Sequence, residues 1–240
     1  ILPVVTGNRS GFTAAWIEAE QSRNKIVSVV TDAGEPIGGT GAAIEQTYVR
    51  AIAIAHSRSE TLIVWIADFK VYAQRLSPSG TPLSTFAVTS GKDFAQDVGV
   101  VWDGSRYFVV WSNSYQLVGS FITPDGSSTP PRVFFDEPVV GQGAPDEFAL
   151  SPNVAWDGRN FIVVFGVAPN IPCTTLCPTR DPDHFRVMRL SPDGDAIDSS
   201  PLAIAGPHFR AHVASSGAES LTRSTRAARY QPSSRATRTA

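Results

Sequence analysis

One stretch constrains the fold more than any other. Val100-Val101-Trp102-Asp103-Gly104-Ser105-Arg106-Tyr107-Phe108-Val109-Val110-Trp111 returns as Val154-Ala155-Trp156-Asp157-Gly158-Arg159-Asn160-Phe161-Ile162-Val163-Val164-Phe165. Val, Ile, Phe, Tyr and Trp favour the half-buried pleated backbone of a sheet. Residues 107–111 and 161–165 are continuous apolar runs of strand length, the pattern of a strand covered on both faces. Asp-Gly before each run is a hairpin signal, since Gly accepts positive φ and Asp tolerates it. Residues 100–102 and 107–111 are therefore expected to pair antiparallel.

A second signature follows each unit: an apolar residue, Ser or Thr, two turn residues, then Gly. Its copies are Val30-Thr31-Asp32-Ala33-Gly34, Leu76-Ser77-Pro78-Ser79-Gly80, Ile122-Thr123-Pro124-Asp125-Gly126 and Leu190-Ser191-Pro192-Asp193-Gly194. Pro presets φ and Gly closes the turn, so each is expected to join a third strand to a fourth. Gly34 to Gly80 is 46 residues, and Gly80 to Gly126 is again 46. Gly126 to Gly194 is 68, with 8 extra residues before the fourth unit's first strand and 14 between its second and third. Insertions confined to loops mark a true repeat.

Four strands in roughly 45 residues is the period of a β-propeller blade. The expected fold is all-β: a β-propeller of about four four-stranded blades plus part of a fifth, with closure of the ring left open. A β-sandwich of similar hairpins would not need a fixed period. The units run about 1–43, 44–90, 91–136 and 137–206, with a partial unit at 207–220. Second strands are read at 12–17, 62–66, 107–111 and 161–165. Trp16, Trp65, Trp111 and Phe165 hold equivalent places in them, which assigns these aromatics to packing between blades. Residues 140–151 and 168–184 are read as inserted loops.

Val213-Ala214-Ser215-Ser216-Gly217 matches Val154-Ala155-Trp156-Asp157-Gly158, but no apolar strand follows at Leu221. Residues 221–240 are rich in Arg, Ser and Thr. They read as a frame error in the coding sequence or as a disordered basic tail. That tail holds five Arg and no acid, whereas residues 1–220 carry a net charge of −7. An acidic body argues against nucleic acid as a partner. No apolar stretch approaches the roughly 18 residues of a membrane span. The first residues lack a signal-peptide pattern and open directly in a strand, so the front of a longer protein is expected to be missing. An open ring would present a strand edge for oligomerisation or pairing with another chain.

Asp103, Asp157, Asp125 and Asp193 recur, but each adjoins a turn Gly, and turn chemistry accounts for them. A catalytic carboxylate pair would be singular. Cys173 and Cys177 are the two cysteines. A local disulfide is the favoured reading, implying an oxidising compartment; two free thiols are the alternative. Zinc would need two more ligands, with only His184 nearby. Arg180, Asp181, Asp183 and His184 form the most polar part of the larger insertion and are the candidate ligand-binding loop, weighed against a solvated loop. No catalytic residue, metal site or cofactor is assigned. There is no Gly-x-Ser-x-Gly elbow and no phosphate-cradling Gly loop with Lys.

The unit Trp-Asp-Gly-x-x-aromatic-x-Val-Val-Trp followed by Ser-Pro-Asp-Gly resembles repeats of large secreted or surface-anchored bacterial proteins with propeller-like domains. The likeness covers residues 1–217. It departs from WD-type, kelch and sialidase-type repeats. It implies an extracytoplasmic, non-catalytic binding or scaffold module that recognises protein or glycan through loops on one face. The alternative is a propeller-fold glycoside hydrolase or lyase fragment whose site is completed by other blades.

Overall fold

The computed structural model describes residues 3–7, 11–20, 23–32, 35–46, 48–91, 93–113, 115–136, 147–169, 184–205, 210–215 and 220–225. The described residues form strands and no helix. The first sheet holds β1 (Val4–Gly7), β2 (Phe12–Glu20), β3 (Arg23–Asp32) and β4 (Glu35–Gln46). The second holds β5 (Val49–His56), β6 (Thr61–Ala67), β7 (Lys70–Leu76) and β8 (Pro82–Ala87). The third holds β9 (Ala95–Trp102), β10 (Tyr107–Asn113), β11 (Gln116–Ile122) and β12 (Arg132–Asp136). The fourth holds β13 (Glu147–Trp156), β14 (Phe161–Pro169), β15 (His184–Leu190) and β16 (Leu202–Ala205), and β17 (Arg210–Ser215) pairs with β18 (Ser220–Thr225).

Every sheet is an antiparallel meander in chain order. The expected hairpin is present, with Tyr107 opposite Trp102 and Val109 opposite Val100. First strands lie side by side, β1 by β5, β5 by β9, β9 by β13 and β13 by β17. Among the described residues the sheets do not close into a ring.

Four apolar clusters hold successive sheets together, one per junction. The apolar second strands explain how. Along β6, Ile63 and Trp65 pack toward the first sheet, whereas Leu62, Val64 and Ile66 pack toward the third. Along β10, Tyr107, Val109 and Trp111 face the second sheet, and Phe108 and Val110 face the fourth. Side chains alternate across a strand, so only an unbroken apolar run can serve two neighbours. Trp65, Trp111 and Phe165 are fully buried, each against the preceding sheet. Trp16, in the first sheet, is half-buried, and its indole N–H donates to Glu18 Oε1 at 2.9 Å.

Two stretches are more ordered in pairing than the sequence suggests. Residues 147–151, read as the end of a loop, belong to β13. Its ladder runs from Glu147 opposite Pro169 to Leu150 opposite Gly166, then resumes at Asn153 opposite Val164. The break is a bulge that takes up Ser151 and Pro152, so the proline's missing N–H costs no ladder bond. Likewise the Ser/Thr/Arg pattern after 220 does not stop the fifth hairpin. β18 runs to Thr225, paired from Ser215–Ser220 to Arg210–Thr225. A backbone ladder needs no apolar side chain, and Thr is well suited to it. The boundary drawn at 220/221 thus cuts through a hairpin.

Candidate functional site

The two ends of these sheets are built differently. At one end lie the turns joining first to second and third to fourth strands. Gly104 and Gly158 occupy the first kind, with φ of 106° and 91°. Gly80, Gly126 and Gly194 occupy the second, with φ of 82°, 92° and 82°. Three of the four repeated aspartates work inside these turns, while the Asp193 carboxylate faces Arg106 of the third sheet at 3.6 Å. Asp103 Oδ1 accepts from the backbone N–H of Ser105 (2.7 Å) and Arg106 (2.8 Å). Asp157 Oδ1 accepts from Arg159 (2.8 Å) and Asn160 (2.6 Å). Asp125 accepts from the Thr123 hydroxyl and from Ser127, and these bonds hold its carboxyl below the usual range. Arg189 does the same for Asp198. His56, at the place of Trp102, has its pKa lowered by burial and shares a hydrogen bond of 3.0 Å with Thr61 Oγ1. Burial pushes the Tyr107 phenol up; its O–H donates to the Glu60 carbonyl at 3.1 Å.

At the other end, where the first strands begin, left-handed backbone is carried by residues with side chains. They are Tyr48 (φ 55°), Asp68 (49°), Phe69 (61°), Phe94 (49°) and Ser151 (46°). Asp68 and Phe69 form the two-residue turn between β6 and β7, a geometry that ordinarily takes Gly second. A residue with a Cβ there costs roughly 1–2 kcal/mol. Two backbone bonds hold the arrangement, for the Phe69 carbonyl accepts from both Asp93 N and Ala95 N at 3.2 Å. Asp93 Oδ2 in turn accepts from the Trp111 indole at 2.9 Å. Strain is retained where surroundings over-determine it, and such places collect at functional sites.

A cleft of about 460 Å³ opens between the first strands, lined by residues from β1, β5, β9 and β13. Its polar side chains are Arg50, Asp97, Ser151 and Asn153. The left-handed turn of Ser151 aims its hydroxyl at Asp97, with Oγ donating to Oδ2 at 3.2 Å. Asn153 Oδ1 accepts from Val213 N at 3.1 Å and ties the fourth sheet to the fifth. Gly99 permits the close approach of β9 and β13, since a Cβ there would lie 3.0 Å from the Pro152 carbonyl. Arg50 leaves the cleft to lie over the Phe69 ring at 5.3 Å, which joins the cleft to the aromatic rim. β5, β9 and β13 each pair with one neighbour only, so their other edges face the cleft. β12 ends and β13 begins at this same end, as β14 ends and β15 begins there.

Of the residues singled out from sequence, Arg180, Asp181, Asp183, Cys173 and Cys177 lie outside the described residues. His184 is half-buried at the first position of β15, opposite Ala205 and Val167. The cleft residues were missed because none belongs to a motif: Arg50 lies on β5, Asp97 on β9, and Ser151 and Asn153 on β13. One signal was available. Tyr48 and Phe94 are 46 residues apart, as are Phe69 and Tyr115, so the aromatics obey the repeat period. Among the described residues no group of three or more His, Cys, Asp or Glu is placed to hold a metal, and no helix is long and apolar enough to cross a membrane.

No family model matches the chain, and no curated protein does. Several solved structures resemble it. A mutant of Synechocystis apocarotenoid oxygenase aligns with a TM-score of 0.51 at 9% identity, over 88% of this chain and 51% of that one. A second mutant of the same enzyme gives 0.50 over the same shares, again at 9%. A protein from Lactobacillus plantarum covers 85% of this chain and 70% of its own at 11% identity, with a TM-score of 0.42. The chain spans about half the length of the oxygenase structures it matches, and at this identity the likeness is one of fold alone.

Proposed function

We propose that the chain is part of a β-propeller-type binding module that takes a polar ligand, glycan or protein, in the cleft between its first strands. The carrying observation is the gathering of Arg50, Asp97, Ser151 and Asn153 on neighbouring first strands, with Ser151 in left-handed backbone and Arg50 lying over the ring of left-handed Phe69. Concave sites with a few fixed polar groups are where ligands bind. The strand ends flanking the fourth unit's two long connections lie at the same end, and connections on a rigid scaffold are where recognition collects. The resemblance of the repeats to secreted and surface-anchored bacterial proteins supports presentation outside the cytoplasm.

The labelled chain, applied to arrays of glycans and of random dodecapeptides, is expected to bind one class. Arg50→Gln with Asp97→Asn is expected to abolish that binding. A wild-type chain that binds neither array, or a double variant that binds as well as wild type, removes the reading. Chromatography of the bound glycan before and after incubation tests the hydrolase or lyase alternative, which requires shortened products.

A further inference from the structure

We infer that the aromatic rim of the cleft is a platform for a glycan of repeating neutral sugars, with sugar faces stacked on Tyr48 and Phe94 and hydroxyls turned to Arg50 and Asp97. The inference rests on the binding function proposed above and narrows its ligand to one class. Tyr48 is 69% exposed, Phe94 58% and Phe69 40%. Phe94 meets Phe69, and Tyr48 stands two residues before Arg50, whose guanidinium lies over Phe69; the backbone of each aromatic is held in a conformation that bulky residues rarely adopt.

A purely structural role accounts for part of this. The Phe69 and Phe94 rings meet at 6.0 Å with a tilt of 48°, which staples the second sheet to the third. Stapling alone would be served better by burial, and it leaves Tyr48 unexplained. Two features distinguish a glycan from a protein partner. First, the rim repeats. Tyr48 precedes β5 as Phe94 precedes β9, and Phe69 turns from β6 to β7 as Tyr115 does from β10 to β11. Equivalent rings at equal structural steps suit a ligand made of equal units, whereas protein interfaces concentrate their aromatic anchors near one centre. Second, a polar cleft is joined to the rings through Arg50, which lines the cleft and lies over Phe69. Asp97 is held by the Ser151 hydroxyl, and Arg50 makes no ion pair among the described residues, its guanidinium lying on the Phe69 face. These are fixed acceptor and donor groups beside apolar faces, the pairing that a sugar presents in reverse. Arg50 and Asp97 together give the rim no dominant sign, which favours a neutral chain over a polyanion.

The test is calorimetric titration of the full chain with cellohexaose, chitohexaose, mannohexaose and laminarihexaose, and with the disaccharide of each. At least one hexasaccharide is expected to bind, roughly tenfold or more tighter than its disaccharide, because a second ring engages at no further translational cost. Tyr48→Ala and Phe94→Ala are each expected to weaken it by about tenfold, whereas Leu83→Ala, an exposed apolar residue on β8, leaves it unchanged. Tyr48→Ala serves if Phe94→Ala fails to fold, since Tyr48 is the more exposed. Absence of binding to all four chains overturns the inference, as does binding indifferent to Tyr48→Ala. A peptide from the dodecapeptide array whose binding falls with Arg50→Gln would overturn the glycan while leaving the cleft as the site.

Discussion

The same hairpins end in two different ways. Where first strands pass into second and third into fourth, positive φ is given to glycine at 80, 104, 126, 158 and 194. Where the first strands begin, it is given to Tyr48, Asp68, Phe69, Phe94 and Ser151. Glycine makes the turn without strain and presents nothing. A Phe in the same region costs about 1 kcal/mol or more and presents a ring. The first end is therefore built for closure of the chain, and the second for display. Length divides less cleanly: every connection from a first to a second strand has four residues, whereas those from a third to a fourth run from two to eleven.

The sharpest way to break this contrast is to put a side chain where glycine stands. Gly104→Val forces a β-branched residue to φ 106° and is expected to destabilise the chain by about 2 kcal/mol in urea unfolding. A loss near zero would mean that the turn relaxes freely. Asp103→Ala removes the acceptor for two backbone N–H groups and is expected to cost about 1 kcal/mol by the same measurement. The display end should respond with the opposite balance. Phe69→Gly relieves left-handed strain but loses the contacts to Phe94 and Arg50, so stability is expected to stay within about 1 kcal/mol of wild type. A large loss would assign Phe69 to the fold alone.

The smallest effect concerns His56. Burial lowers its folded pKa, so the unfolded chain takes up the proton first. Stability is then full above the unfolded value of about 6.5 and declines as pH falls through it toward the folded pKa. His56→Gln is expected to flatten that part of a plot of urea midpoint against pH. An unchanged slope would assign it to another group.

Much of the architecture was legible because the repeat states it several times. The Trp-Asp-Gly hairpins, the Ser-Pro turns and the burial of Trp65, Trp111 and Phe165 follow from local chemistry that each unit repeats. Pairing at β13 and β18 was not, since a bulge hides Pro152 and a backbone ladder tolerates the polar run at 220–225. The site was hardest to see. Turn propensity argues against Phe69 and Phe94 as left-handed residues, so the rule that found one end conceals the other. Arg50, Asp97 and Asn153 meet only because three sheets set their first strands side by side.

In the second, third and fourth sheets the ring at one repeated place of the second strand (Trp65, Trp111 or Phe165) points back toward the preceding sheet, and the residues alternating with it point onward to the next. The row therefore has a direction, and every junction is a head-to-tail match between like partners. A tandem duplication of one whole unit would bury one face and uncover an equivalent one, leaving the balance of covered surface as it was. Where the interval is 46 residues, as from Gly34 to Gly80 and from Gly80 to Gly126, such a duplication would add one whole junction. An unequal exchange that fell out of phase would instead mismatch a junction and be lost.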